Sequence, residues 1–363
     1  MASEPNPSAV SNADAIVVGV FYPPEWYGDE EGFAAEIEAL GRLDPRLRVV
    51  VEPYVEPHEL RSARGKPGAE SLRDRAPALT DAQRAALADI DIALAIDLPY
   101  DVASVAPKLR WVQAVGVGTG QLQSAGLGDA GIRLTTAAGT SAAGIAEFVI
   151  ARLLQDVKHL RALDERQAER HWEPLYGGQL GGRTLGLIGL GAINQAVATY
   201  AKAFGLRILA TRRSATPGAM APNVDELYPP GELATLLGRS DIVVAAVPET
   251  PETTGVMDAA AFASMRPGSF FCNVGRGSFV DEAALIDALT TGHLRGAAID
   301  VASREPLPAD HPLWDAPNLY ISPHSAAAPA ALFANLHLLF RDNLLRFLEG
   351  GTLRNEVDLA RGY

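Results

Sequence analysis

The sequence predicts an α/β protein of two domains, each a parallel sheet covered by helices, with a cleft between them of the kind where ligands of open α/β sheets bind. Three observations predict it. Short β-branched runs alternate with alanine-rich helical stretches along the chain. The runs are continuously apolar, as strands buried on both faces are. The series gives way to one long helical stretch near residue 140 and then starts afresh. With 363 residues, 48% of them hydrophobic, the chain can bury two cores.

The first series reads "AIVVGVFY" (15–22), "LRVVVEPY" (47–54), "DIALAI" (91–96), "LRWVQAV" (109–115) and "IRLTT" (132–136). Between its second and third members lies "RSARGKPGAESLRDRAPALT", charged and punctuated by Gly and Pro, which reads as a surface insertion. A helix is predicted over 139–160, with Thr140 or Ser141 as N-cap and apolar residues on a helical period. The second series follows as "TLGLIGL", "LRILATR", "DIVVAAV", "SFFCNVG", "RGAAIDV" and "LYISP". A final amphipathic helix, "AAPAALFANLHLLFRDNLLRFLEG", is predicted to return to the first domain.

A formal net charge of -13 argues against a protein whose main work is holding a polyanion, which needs clustered Lys and Arg. Any anionic ligand must be captured by local arginines. Lysine occurs only at Lys66, Lys108, Lys158 and Lys202, and guanidinium suits bidentate recognition of carboxylate and phosphate. The single cysteine, Cys272, excludes an internal disulfide and reads as a buried strand residue. The N-terminal "MASEPNPSAVSNADA" lacks a basic start and an apolar core of signal-peptide length. No apolar run reaches the ~18 residues of a membrane span. A cytoplasmic protein is expected.

The second series opens with "TLGLIGLGAINQAVATYAKAFGLRILATRRS". Gly189 follows a strand and permits a tight turn, Gly191 lets backbone approach a pyrophosphate, and the helix start at Ala192 and Ile193 offers free amides and a positive dipole end. Asn194 stands where a third glycine is usual. An acid that grips the ribose diol is expected about 20 residues on. Instead the strand end carries Thr211, Arg212, Arg213 and Ser214. Guanidinium and hydroxyl groups there favour the 2'-phosphate of NADP(H), with NAD(H) still usable. The alternative is a pair of solvated arginines.

"GLIGLGAINQAVA", the long stretch from "VPETPETTGVMD" through "NVGRGSFVDEAALIDAL" and "GAAIDVASREPLP" to "ISPHSAA", and the tail "LRNEVDLARGY" closely resemble the D-isomer-specific 2-hydroxyacid dehydrogenases, glyoxylate/hydroxypyruvate reductases among them. The resemblance is dense from about Thr135 onward and thin over the first hundred residues. It implies a flavodoxin-like substrate-binding domain of residues 1–136 and 325–363, and a Rossmann dinucleotide-binding domain of 137–324.

Arg276 lies between two glycines just past a predicted strand, where it can pair with a substrate carboxylate and polarise a 2-oxo group, the role the resemblance implies; pairing with Asp281 or Glu282 is the alternative. His324 also follows a strand, and its side chain has the ordinary pKa suited to exchange a proton with a developing alkoxide. Glu305 resembles the family acid that holds this histidine and stabilises its protonated form. Asp300 matches the acid that faces the nicotinamide carboxamide, with a strand-end turn residue as the alternative. Val247 and Pro248 resemble the apolar wall over the adenosine half, or are simple core. Val274 and Gly275 join the cofactor-binding residues. Backbone amides of Val117, Gly118 and Thr119 are expected to hold the substrate carboxylate. Trp314 either borders the substrate or packs in the core. No metal site is expected.

The function this implies is NADPH-preferring reduction of a small 2-oxoacid to the D-2-hydroxyacid, by a homodimer, with the helix over 139–160 read as a subunit contact or a domain bridge. A dinucleotide-sensing regulator on the same fold and a phosphite-type dehydrogenase are the alternatives. Formate dehydrogenases pair the histidine with glutamine, so Glu305 disfavours that relative. Relatives acting on glycerate phosphates often carry a further regulatory domain, for which the chain is short.

Overall fold

The computed structural model describes residues 15–65, 69–216 and 219–359. Most of the N-terminal stretch, Lys66 and the last four residues of the tail lie outside the described residues. The chain divides into two compact units, Met1–Thr140 with Pro329–Tyr363, and Ser141–Ala328.

The first unit holds five parallel strands, β1 (Ile16–Val20), β2 (Leu47–Val51), β3 (Ile92–Ala95), β4 (Trp111–Ala114) and β5 (Arg133–Thr135), in the order β2-β1-β3-β4-β5. That is the flavodoxin-like order. Successive side chains point to opposite faces, so both faces need cover. Val17, Ala93, Ala95 and Val112 enter one core with Leu87, Leu98 and Leu122. Val18, Val20, Ile92, Leu94 and Trp111 enter the other, which is closed by Phe333, Leu336, Phe340 and Leu344 of the final helix, Pro329–Leu348. The returning helix is thus needed to bury half of the first sheet. His337 of this helix is wholly buried against the Tyr22 hydroxyl, 2.5 Å from Nε2, and burial pushes its pKa down to about 4.

The second unit holds seven strands: β6 (Thr184–Ile188), β7 (Arg207–Thr211), β8 (Glu226–Tyr228), β9 (Ile242–Ala245), β10 (Ser269–Asn273), β11 (Leu294–Ile299) and β12 (Leu319–Ile321). Their order, β12-β11-β10-β9-β6-β7-β8, reverses between β6 and β9, and every pairing is parallel. This is the dinucleotide-binding order with one added strand. Leu185, Leu187, Ile208, Val244, Phe270 and Cys272 face a core shared with Val149, Ile150 and Leu153. Leu209, Val243, Phe271, Ala297 and Ile299 face another with Leu236, Leu285 and Leu289. Cys272 is fully buried, and burial pushes its thiol up to about 12.

Two expectations need correction in detail. The helix expected over 139–160 spans Ala142–Val157; His159, at φ 55, breaks it before a second helix, Leu160–Ala168. Neither cap candidate caps it through a side chain: Ser141 makes no such bond, and Thr140 Oγ1 donates to the Ala137 carbonyl. The three-residue β8 was not foreseen because Glu226 breaks its apolar pattern; ion pairs with Arg207 and Arg239 hold that glutamate at the sheet edge.

Candidate active site

Parallel strands bring their carboxyl ends to one edge. Along that edge of the second sheet, in spatial order, stand His324 after β12, Asp300 and Glu305 after β11, Arg276 after β10, Val247 after β9, Gly189 after β6 and Arg212 after β7. From β12 to β7 is five strand spacings of about 4.8 Å, roughly 24 Å. The order reverses between Gly189 and Val247, the crevice that open sheets offer to ligands.

At that reversal the backbone is tightly built. Gly189 has φ 79, and a Cβ there would meet Val247 Cγ1 at 2.6 Å. A Cβ on Gly275 would meet Val247 N and O at 2.9 Å. Val247 therefore sits between two glycine turns that only glycine allows to approach it. Gly191 caps the helix Ala192–Ala203, and a Cβ on it would meet nothing within 4 Å. The first amides of this helix have no intrahelical acceptor and face open space at the turn, a cradle that fits a pyrophosphate. At the end of β7, Arg212, Arg213 and Ser214 are exposed, whereas Thr211 is buried and its Oγ1 accepts the Gly189 amide at 2.9 Å. The hydrogen bond to Thr250 and, further off, the charge of Arg213 hold the exposed Glu252 carboxyl below its usual range. Pro248 is exposed and its carbonyl accepts from Thr253 Oγ1, so it is not core. Val274 is buried, its amide bonded to Ala245.

Arg276 is held by its neighbours. Asn273, buried at the end of β10, accepts the Gly275 amide at 3.0 Å and donates to the Arg276 carbonyl at 2.9 Å. Asp281 caps the next helix and Glu282 holds Ser303, so neither alternative partner serves Arg276. A Cβ on Gly277 would lie 1.9 Å from the Ala302 carbonyl carbon. The chain leaving β11 thus crosses directly over the glycine beside Arg276 and delivers Glu305 to its vicinity.

Glu305 Oε2 lies 2.8 Å from His324 Nδ1, and its Oε1 accepts the Ala302 amide at 3.1 Å. The hydrogen bond to Glu305 raises the His324 pKa, against partial burial and the repulsion of Arg276. Burial pushes Glu305 upward, but the bonds from His324 and Ala302 and the charges of His324 and Arg276 together leave it below its usual range. The histidine side chain is 54% exposed. A protonated imidazole fixed at Nδ1 and open to solvent elsewhere is a proton donor at Nε2.

His324 has φ 52, a left-handed conformation that bulky residues seldom adopt. Asp300 holds it there. The Asp300 carbonyl accepts the His324 amide at 2.8 Å, and its carboxylate accepts Ser322 Oγ at 2.6 Å, the Ser325 amide at 2.9 Å and the Ala326 amide at 3.0 Å. The acid expected at a nicotinamide carboxamide is 3% exposed and ties down the histidine loop.

In the first unit, Val117 and Gly118 are exposed in the loop after β4, and Thr119 is buried with its hydroxyl accepting from Gln123. Gly65 and Gly120 pack so closely that a Cβ on Gly120 would meet Gly65 Cα at 2.6 Å. Trp314 is 51% exposed with its indole N–H on the Pro308 carbonyl, not core. Asn273 was missed, although an Asn two residues before a glycine in "NVGRG" carries the signal of a side chain that bonds its own following backbone. Among the described residues no group of three His, Cys, Asp or Glu side chains could hold a metal, and no helix is long and apolar enough to cross a membrane.

Residues 150–326 match the family model of the D-isomer specific 2-hydroxyacid dehydrogenase, NAD binding domain. D-3-phosphoglycerate dehydrogenase of Mycobacterium bovis is 35% identical over 232 residues, 63% of this chain and 43% of that protein. The chain spans about half the length of such relatives or less. A hydroxypyruvate reductase of Blautia hydrogenotrophica is 31% identical over 273 residues, 72% of this chain and 83% of the relative. Among solved structures, the NADPH-dependent glyoxylate/hydroxypyruvate reductase of Sinorhizobium meliloti, in complex with NADP and sulfate, aligns at TM-score 0.71 and 27% identity over 96% of this chain and 100% of that one. With the strand order, the glycine turn and the Arg276, Glu305 and His324 set in one sheet edge, these likenesses agree on one assignment: the chain belongs to the D-isomer specific 2-hydroxyacid dehydrogenase family.

Proposed function

We propose that this chain reduces a small 2-oxoacid, of the glyoxylate or hydroxypyruvate kind, to the D-2-hydroxyacid, reversibly and with NADP(H) preferred over NAD(H). The observation that carries the reading is the Glu305–His324 pair, delivered after β11 and β12 to the same sheet edge as Arg276 after β10. Bound NADPH supplies the hydride to C2 of the oxoacid. As the C=O π electrons move onto oxygen, His324 Nε2 gives that oxygen its proton, and Glu305 stabilises the imidazolium beforehand. Arg276 pairs with the substrate carboxylate and polarises the 2-oxo group, and the amides of Val117, Gly118 and Thr119 are its assigned second anchor.

On the cofactor side, the amides of Gly191, Ala192 and Ile193 take the pyrophosphate, Val247 and Pro248 lie against the adenosine half, and Arg212, Arg213 and Ser214 take the 2'-phosphate. The absence of an acid at the end of β7 supports this preference. A homodimer is the proposed assembly. Exposed Leu160, Leu163, Trp172 and Tyr176 after the helix Ala142–Val157 support it, and light scattering tests it.

The test is initial-rate loss of nicotinamide absorbance with glyoxylate, hydroxypyruvate and phenylpyruvate, NADPH beside NADH. Turnover that is faster with NADPH supports the reading. Cofactor binding without turnover on any oxoacid overturns it in favour of a dinucleotide-sensing regulator.

A further inference from the structure

Asn194 occupies the position where the dinucleotide-binding pattern has its third glycine, and that glycine ordinarily lets helix and strand pack closely. Here the side chain is wholly buried. Its Nδ2 lies 2.6 Å from the Gly189 carbonyl and 3.0 Å from the Ile188 carbonyl. Only the NH2 end of an amide can face two carbonyl oxygens, so the orientation is fixed by chemistry. Its Oδ1 has no hydrogen-bond partner among the described residues, a cost that a glycine or alanine would not carry. On the other side of the same residue, Thr211 Oγ1 accepts the Gly189 amide at 2.9 Å. Both polar groups of Gly189 are thereby bound by side chains, one from the helix Ala192–Ala203 and one from β7.

We propose that Asn194 and Thr211 form a two-sided clamp on Gly189 that sets the pose of the turn meeting the dinucleotide pyrophosphate, replacing the packing role of the missing glycine. The inference rests on the dinucleotide reading above. The clamp leaves the amides beyond Gly189 as those that meet the phosphates, and it makes Thr211 a positioning residue, with the 2'-phosphate left to Arg212, Arg213 and Ser214. Because the clamp acts at the turn and not at the strand-end arginines, its loss must weaken NADPH and NADH alike.

The test measures dissociation constants of NADPH, NADH and 2'-AMP by fluorescence titration and competition, without substrate, on Asn194→Leu, Thr211→Val and Thr211→Ser, with thermal melts of each. Asn194→Leu keeps the volume and removes the donor; Thr211→Val removes the acceptor and Thr211→Ser keeps it. The expected result is a loss of about tenfold for both dinucleotides in Asn194→Leu and Thr211→Val. The NADPH-to-NADH ratio and 2'-AMP binding should stay at the parent values, and Thr211→Ser should recover affinity. Parent affinity for both dinucleotides in the Leu and Val variants, whatever their melting temperatures, overturns the clamp alone. Failure of the unsubstituted protein to bind either dinucleotide overturns the dinucleotide reading and the clamp together.

Discussion

His324 Nδ1 and Glu305 Oε2 stand 2.8 Å apart, which commits one ring nitrogen to a carboxylate and leaves the other to exchange protons. The His324 pKa is raised, first by that hydrogen bond, so the protonated form persists to higher pH than in a free imidazole. In the proposed mechanism, reduction needs that form. Oxoacid reduction should therefore fall as pH rises through the raised pKa, and Glu305→Gln should move the falling limb to lower pH. The stability contributed by the pair has the same sign. It is complete below the unfolded histidine pKa and fades as pH rises through the folded one. On the acid side it is lost as pH falls through the depressed Glu305 pKa. Because the imidazole is 54% exposed, the melting-temperature difference between parent and Glu305→Gln should be small. The rate profile is the sensitive measurement. His324→Asn should lower kcat by about 10²–10⁴ while leaving NADPH binding intact.

Arg276 is presented by a loop whose backbone Asn273 fixes from both sides, and its guanidinium Nη1 donates to the Gly275 carbonyl at 2.8 Å. A lysine keeps the charge but not the planar fork that grips a carboxylate. Arg276→Lys should lower kcat/KM by about tenfold to a hundredfold, corresponding to one charge-assisted hydrogen bond of roughly 1.5–3 kcal/mol. Steady-state kinetics beside NADPH titration check this: an unchanged kcat/KM would remove Arg276 from the substrate.

Arg212 and Arg213 are exposed at the end of β7, the position of the ribose-reading acid. Arg212→Ala/Arg213→Ala should raise the NADPH KM by about tenfold to a hundredfold and leave NADH unaffected. The salt dependence of NADPH binding should weaken with it, since a phosphate on exposed guanidinium is screened. Equal use of both cofactors by the unsubstituted protein would make the arginines solvated bystanders.

Gly277 carries a different constraint. The nearest atoms to an added Cβ are backbone of Ala302 and Ser303, the closest at 1.9 Å, so no rotamer change can relieve the clash. Gly277→Ala should push the crossing chain away and lower stability by about 1–3 kcal/mol or more. It should also lower kcat by displacing Glu305 from His324, with NADPH affinity near the parent value. Thermal melts and kinetics on one preparation separate the effects.

Much of this was legible in the sequence because it is written locally. Continuous apolar runs such as "DIALAI" and "DIVVAAV" became strands buried on both faces, and residues just past them fell on one sheet edge. The glycine at 189 announced the tight turn that its φ of 79 shows. What stayed hidden depends on partners remote in sequence. Nothing in "GAINQ" says that an asparagine will reach back to the Gly189 carbonyl, and nothing in "LATRR" says that a threonine will turn inward to the same residue. Glu226–Tyr228 reads as loop until Arg207 and Arg239 are seen to neutralise its acid.

Asp300 separates two roles that the sequence could not. Its carboxylate already receives Ser322 Oγ and the Ser325 and Ala326 amides, and its own carbonyl receives the His324 amide. We propose that a residue so occupied acts on chemistry by holding His324 in its left-handed conformation. Asp300→Asn brings an NH2 group against donors, and Asp300→Ala strands the buried Ala326 amide at about 1–3 kcal/mol. Both should lower the melting temperature and kcat, and both should leave NADPH affinity near the parent value. Titration of NADPH beside the pH profile of kcat decides it. Weakened cofactor binding with an intact profile would assign Asp300 to the nicotinamide carboxamide, whereas a depressed or displaced profile with intact binding assigns it to the histidine.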